Sequence, residues 1–139
     1  MRLLLDTRFR AAMVAVIAIG VGLALTGAVA ALVHRQLIQV TVYVVVALAL
    51  SGAATAVWRR VRWVAIVCMV ALAGQCTAIA GTVWELSGPI APAKVRDLQL
   101  IGFQPTAAVI VNLIYSTLGF AVFCWYATAW LAARRHRHT

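Results

Sequence analysis

The side chains able to do chemistry are few and scattered. The carboxylates are Asp6, Glu85 and Asp97, the histidines His34, His136 and His138, the cysteines Cys68, Cys76 and Cys124, and the serines Ser51, Ser87 and Ser116. General acid–base catalysis needs a positioned proton carrier, and a nucleophilic serine needs a base within hydrogen-bond reach. No histidine is placed to activate Ser51 or Ser116, because all three histidines fall outside the long apolar stretches that hold these serines. Haem ligation between helices would also need histidines inside those stretches. Cys68 and Cys76 are separated by about 12 Å along one helix, beyond the reach of a disulfide. Cys68 and Cys124 fall at similar depths and could pair, although packed, inert thiols are the expected state of all three. The tail pair His136 and His138 reads as a solvated tail, and no glycine-rich phosphate cradle is present. These residues give no catalytic, cofactor-binding or metal-binding assignment, so neither an enzyme nor a cofactor is expected.

Two other groups of polar residues stand out. Asn112, Ser116 and Gly119 lie at i, i+4 and i+7 of one apolar stretch, which is one helix face. Gln75 sits at a comparable depth in the preceding stretch, and an amide in hydrocarbon needs a partner. Gln75, Asn112, Ser116 and Gly119 are therefore expected to form polar contacts between helices, each hydrogen bond contributing about 0.6–2 kcal/mol. Glu85, Lys94, Arg96 and Asp97 form a charged set in the longest connection and are a candidate recognition loop.

The elements that must position these groups follow from hydropathy. Of the 139 residues, 65% are hydrophobic and 11% charged, and the apolar residues fill whole windows instead of one stripe per helix. This is the pattern of helices whose outer surface faces lipid. Four spans are predicted, at 11–33, 37–57, 63–84 and 105–131, each long enough to cross a hydrocarbon core of about 30 Å. The first connection is only His34-Arg35-Gln36 and the second is a short arginine-rich turn, so consecutive helices must reverse and lie side by side. The loop 85–104 contains Gly88, Pro89, Pro92 and Gly102, which prevent one continuous helix. Within it, Ala93 to Ile101 reads as a short helix on the membrane surface, with Val95, Leu98 and Ile101 on one side and Lys94, Arg96 and Asp97 on the other. The fold class expected is all-α: a single membrane domain over 1–139, an antiparallel bundle of four transmembrane helices. A short extracytoplasmic interfacial helix separates the third and fourth spans, and residues 132–139 form a cytoplasmic tail.

Charge sets the orientation. Nine arginines (residues 2, 8, 10, 59, 60, 62, 134, 135 and 137) fall on one side, against Arg35, Lys94 and Arg96 on the other. Short segments rich in such residues stay in the cytoplasm, which puts both termini there. Trp58, Trp63, Trp125 and Trp130 fall near the inner boundaries and Trp84 near the outer one, where indole rings settle in the headgroup layer. A competing reading takes the first span as a secretory signal with Ala28-Val29-Ala30 as its cleavage site, though its apolar run is longer than a signal core. The formal charge of +9 does not imply nucleic acid, because the cations cluster between spans instead of forming a continuous basic face. Small-residue stripes Gly20/Ala24/Ala28 and Gly74/Ala78/Gly81 are expected helix contacts.

Function is less legible. The small four-helix drug exporters have a similar size but carry a glutamate inside the first helix, and Ala11 to Val33 has none. The quinone-linked four-helix oxidoreductases use paired cysteines near the outer surface, whereas these cysteines lie inside the spans. The expected role is a non-catalytic accessory or structural subunit of a bacterial inner-membrane complex, in contact with lipid and with a membrane-protein partner or further copies of itself. One alternative is a small oligomeric transporter or channel with a polar path through Gln75, Asn112 and Ser116. Another is an interfacial lipid- or quinone-linked enzyme using Glu85 or Asp97.

Overall fold

The computed structural model describes residues 3–136; Arg2, Arg137 and His138 lie outside the described residues. After a 3-10 turn at Leu3–Leu5, the chain forms α1 (Thr7–Val33), α2 (Leu37–Trp58), α3 (Arg62–Ser87), α4 (Pro92–Leu100) and α5 (Pro105–Arg135). Four of these, α1, α2, α3 and α5, are long and apolar enough to cross a membrane. No strand occurs among the described residues. The chain is thus an all-helical protein built for a bilayer.

Helix boundaries follow local chemistry. Asp6 caps α1, its carboxylate accepting from Arg8 N at 3.4 Å, so the helix starts ahead of the uncharged run and includes Arg8 and Arg10. α3 continues through Glu85 and stops where Gly88 turns extended before Pro89. Pro92 and Pro105 occupy first-turn positions of α4 and α5, where the missing N–H costs nothing. α5 runs on past Leu131, because Ala132 and Ala133 favour helix and Arg134 and Arg135 complement the negative end of its dipole.

One turn design ends three of the helices. After α1, Arg35 N–H donates to Leu32 O and Gln36 N–H to Ala31 O; after α2, Arg60 N–H donates to Val57 O and Val61 N–H to Ala56 O. After α4, Gly102 N–H donates to Gln99 O and Phe103 N–H to Leu98 O. Each is a Schellman motif with a left-handed residue: Arg35 (φ 56°), Arg60 (φ 63°) and Gly102 (φ 76°).

α1 is the central helix. It pairs along its length with α2, contacts α5, and holds ten buried residues. α3 pairs mainly with α5 and touches α2 only thinly, so the side-by-side packing expected of α2 and α3 is slight. Contacts fix the directions: Gly20 lies at Leu50 and Gly27 at Tyr43, while Gly20 lies at Tyr115 and Phe9 against Trp125 and Tyr126. Both α2 and α5 therefore run antiparallel to α1. The largest buried cluster (Leu4, Met13, Val16, Ile17, Val57, Val64, Ala65, Met69, Leu72) occupies the half nearer the termini. Cleavage after Ala30 would remove three members of that cluster that belong to α1, namely Met13, Val16 and Ile17.

The two small-residue stripes behave differently. Gly20, Ala24 and Ala28 are buried against neighbouring helices. Gly74 and Gly81 instead face outward, and a Cβ on either would meet nothing within 4 Å. Among the described residues Gly74 and Gly81 therefore make no such contact, and α3 presents Met69, Leu72 and Thr82 to its neighbours instead.

Candidate functional site

At Gly119, α5 packs against both α3 and α1. A methyl group there would lie 3.2 Å from both Gln75 Cγ and Leu72 Cδ2 and 3.8 Å from Val16 Cγ1. The stem of Gln75 therefore packs on Gly119, bringing together two of the residues singled out by the sequence. Ser116, one turn away, is 1% exposed, and its Oγ has no hydrogen-bond partner. The hydrogen bond expected of Ser116 is not made: the face it shares with Val109 and Gly119 is the closely packed one, with room for a small side chain but no acceptor supplied to it.

Asn112 occupies a different environment. It faces outward into a groove of about 410 Å³ with Leu23, Thr26, Gly27, Tyr43, Leu98, Phe103, Gln104 and neighbouring small residues of α5. Of Gln75, Asn112 and Ser116, Asn112 alone lines this space. The groove lies in the half of the molecule nearer α4, and the chain builds it deliberately. Gly27 lets the Tyr43 ring lie against α1, since a Cβ there would be 2.8–2.9 Å from three ring atoms. The Schellman turn ending α4 brings Phe103 back to Leu98, the apolar contact such turns favour, and both side chains form the rim.

The position of α4 is held from two sides. Lys94 Nζ lies 2.6 Å from Glu85 Oε2, joining α4 to the end of α3. His34 seats its ring on Gly102, where a methyl group would be 2.6 Å from Cε1. Its Nδ1 lies 2.9 Å from Ala30 O, and a carbonyl only accepts, so Nδ1 carries the hydrogen. Of the charged loop set, Glu85 and Lys94 are thus engaged with each other, while Arg96 and Asp97 project outward.

No known protein family, curated protein or solved structure matches the chain. Its chemistry therefore rests on its own geometry. No group of three or more His, Cys, Asp and Glu side chains that could hold a metal ion occurs among the described residues. Cys68, Cys76 and Cys124 are free thiols, with Cys68 against the main cluster and Cys76 facing outward.

Sequence reasoning missed two features. Arg10, counted there only as a topological charge, is 7% exposed, and its Nε and Nη1 are buried without a partner. Its guanidinium carbon stands 5.1 Å from the centre of the Trp58 ring, so the ring's π-face offsets part of the desolvation. The signal was the short turn between α1 and α2, which sends α2 back along α1 and brings Trp58, its last residue, to the level of the α1 start. The groove was missed because the sequence does not show the register of α1 against α2, which alone places Tyr43 over Gly27.

Proposed function

We propose that this protein is a non-catalytic accessory or structural subunit of a bacterial inner-membrane assembly. In this reading it is a four-helix antiparallel bundle with α4 lying on the outer membrane surface and both termini in the cytoplasm. The nine-to-three division of basic residues supports that orientation.

The observation that carries the role is the set of outward glycines on α2 and α3. Gly52, Gly74 and Gly81 have open space where a Cβ would stand. Glycine is the poorest helix former after proline, by about 1 kcal/mol against alanine. The protein's own packing does not require it at these positions. Membrane helices associate through such small-residue faces, where backbones approach closely. On α3, Val70, Gly74, Thr77, Gly81 and Trp84 continue one outward seam at three- and four-residue spacing. Thr77 keeps its hydroxyl on Gly74 O at 2.7 Å, so the seam has no unsatisfied group of its own there.

The test is purification from the native host in nanodiscs, with mass spectrometry of retained proteins, for the natural chain and a Gly74→Leu/Gly81→Leu variant. A stoichiometric membrane partner lost from the variant, with helical content unchanged, supports the reading. A chain that carries no partner, or one that stays bound to the variant, refutes it. The polar path of a transporter has less support, since Gln75 and Ser116 pack at Gly119 while Asn112 opens into the groove.

A further inference from the structure

The groove lined by Asn112 has the make-up of a ligand site, and its depth selects the ligand. Its walls are apolar or aromatic at Leu23, Leu98, Phe103 and Val111, and no charged side chain lines it. A volume of about 410 Å³ lies within the range of small-molecule pockets, which pair such walls with a few polar groups. Here those groups are the Tyr43 hydroxyl and the Gln104 and Asn112 carboxamides. Side-chain hydrogen bonds within α5 are made by Thr117 and Thr128 to their own backbone, within α2 by Thr41 and Thr55, and Gln104 makes no side-chain cap bond. Tyr43, Gln104 and Asn112 all line the groove, whereas Thr26, which lines it too, keeps its hydroxyl on Gly22 O at 2.8 Å.

Their depth matters more than their number. Asn112 is seven residues inside the start of α5 and Tyr43 six inside the start of α2, which places both about 10 Å below the helix ends. An unsatisfied amide at that level of hydrocarbon costs several kcal/mol. A phospholipid brings only methylene groups to this depth, because its ester and phosphate oxygens stay at the boundary. A neutral occupant fits these walls, with oxygens that pair with the carboxamides and the phenol on a head inside the hydrocarbon and an apolar body that continues along the helices.

We propose that this groove binds a prenylated quinone, its ring held between Tyr43 and Phe103 and its carbonyl oxygens accepting from Asn112 and the Tyr43 hydroxyl. The inference concerns binding and requires no electron transfer. It stands apart from the accessory-subunit reading, which concerns the opposite, outward faces of α2 and α3.

The experiment extracts lipids from the purified full chain in nanodiscs and measures quinone and phospholipid per protein by mass spectrometry. Added decyl-benzoquinone then serves as the probe in a titration. The natural chain should retain quinone well above its ratio in the source membrane. Asn112→Leu should weaken decyl-benzoquinone binding about tenfold, the loss of one hydrogen bond of about 1.4 kcal/mol. Ala108→Phe, which fills the groove from α5, should abolish binding, and circular dichroism checks that both variants remain helical. Quinone at the bulk membrane ratio, a phospholipid enriched in its place, or a titration that neither substitution moves would each overturn the proposal. Because the Gly74→Leu/Gly81→Leu variant leaves the groove intact, its quinone content separates failure of this site from failure of partner binding.

Discussion

A single methyl group at position 27 should reveal how tightly α1 and α2 are joined. In a Gly27→Ala chain the new carbon would lie 2.8 Å from Tyr43 Cε1 and 2.9 Å from both Cδ1 and Cζ. Ordinary contact begins near 3.4 Å, so the ring must withdraw by about 0.6 Å. It is contacted along its edge, not at a flexible tip, and overpacking of this kind costs about 1–3 kcal/mol. Alanine's better helix propensity returns up to about 1 kcal/mol. Gly74→Ala supplies the reference, since it gains the same propensity with nothing within 4 Å to strike. Unfolding each chain in mixed micelles with increasing sodium dodecyl sulfate, followed by tryptophan fluorescence, gives the two stabilities. Gly27→Ala should be less stable than Gly74→Ala by about 1–3 kcal/mol, and the gap should close when Tyr43→Ala is added to both. Equal stabilities, or a gap that survives removal of the ring, would refute the reasoning.

Two further substitutions probe other parts of the fold with the same assay. Ser116→Ala removes a buried hydroxyl that has no partner and should raise stability by about 1 kcal/mol, whereas a loss would reveal a hydrogen bond at that site. Arg35→Gly releases a left-handed, non-glycine residue in the α1–α2 turn and should stabilise by about 1 kcal/mol; an unchanged or lower stability would refute it.

Much of the fold was readable because lipid-facing helices announce themselves by length and hydropathy alone. The four long helices contain the four apolar runs, and the short helix after Pro92 was readable from its proline and its two-sided residue pattern. Ends were less readable, since a span is defined by charge and a helix by its caps: Asp6 extends α1, and alanine and arginine extend α5. Pairing was harder still. Chain order made α2 and α3 look like full neighbours, but α3 lies mainly against α5, a choice made by Gln75 and Leu72 meeting Gly119 and not by loop length. The same limit explains the polar residues. Helical spacing puts Asn112, Ser116 and Gly119 on one stripe, yet a stripe four residues wide at its ends can border two different spaces, and Asn112 belongs to the groove while Ser116 belongs to the packed seam.

The division into an α1–α2 pair and an α3–α5 pair also bears on how the protein comes to be made. Gly27 can find Tyr43 across a three-residue turn, so the first pair can close as soon as its second helix has entered the bilayer. α3 meets the earlier helices only in its first half, through Val64, Ala65, Met69 and Leu72, and its main neighbour, α5, comes later in sequence. Until α4 and α5 follow, the face that will receive Gly119 stands open with Gln75 in it, and an amide in lipid needs company. For that interval Gln75 lacks the packing that Gly119 later supplies. Chains arrested before Pro105 should therefore be the ones that cross-link most readily to other membrane proteins.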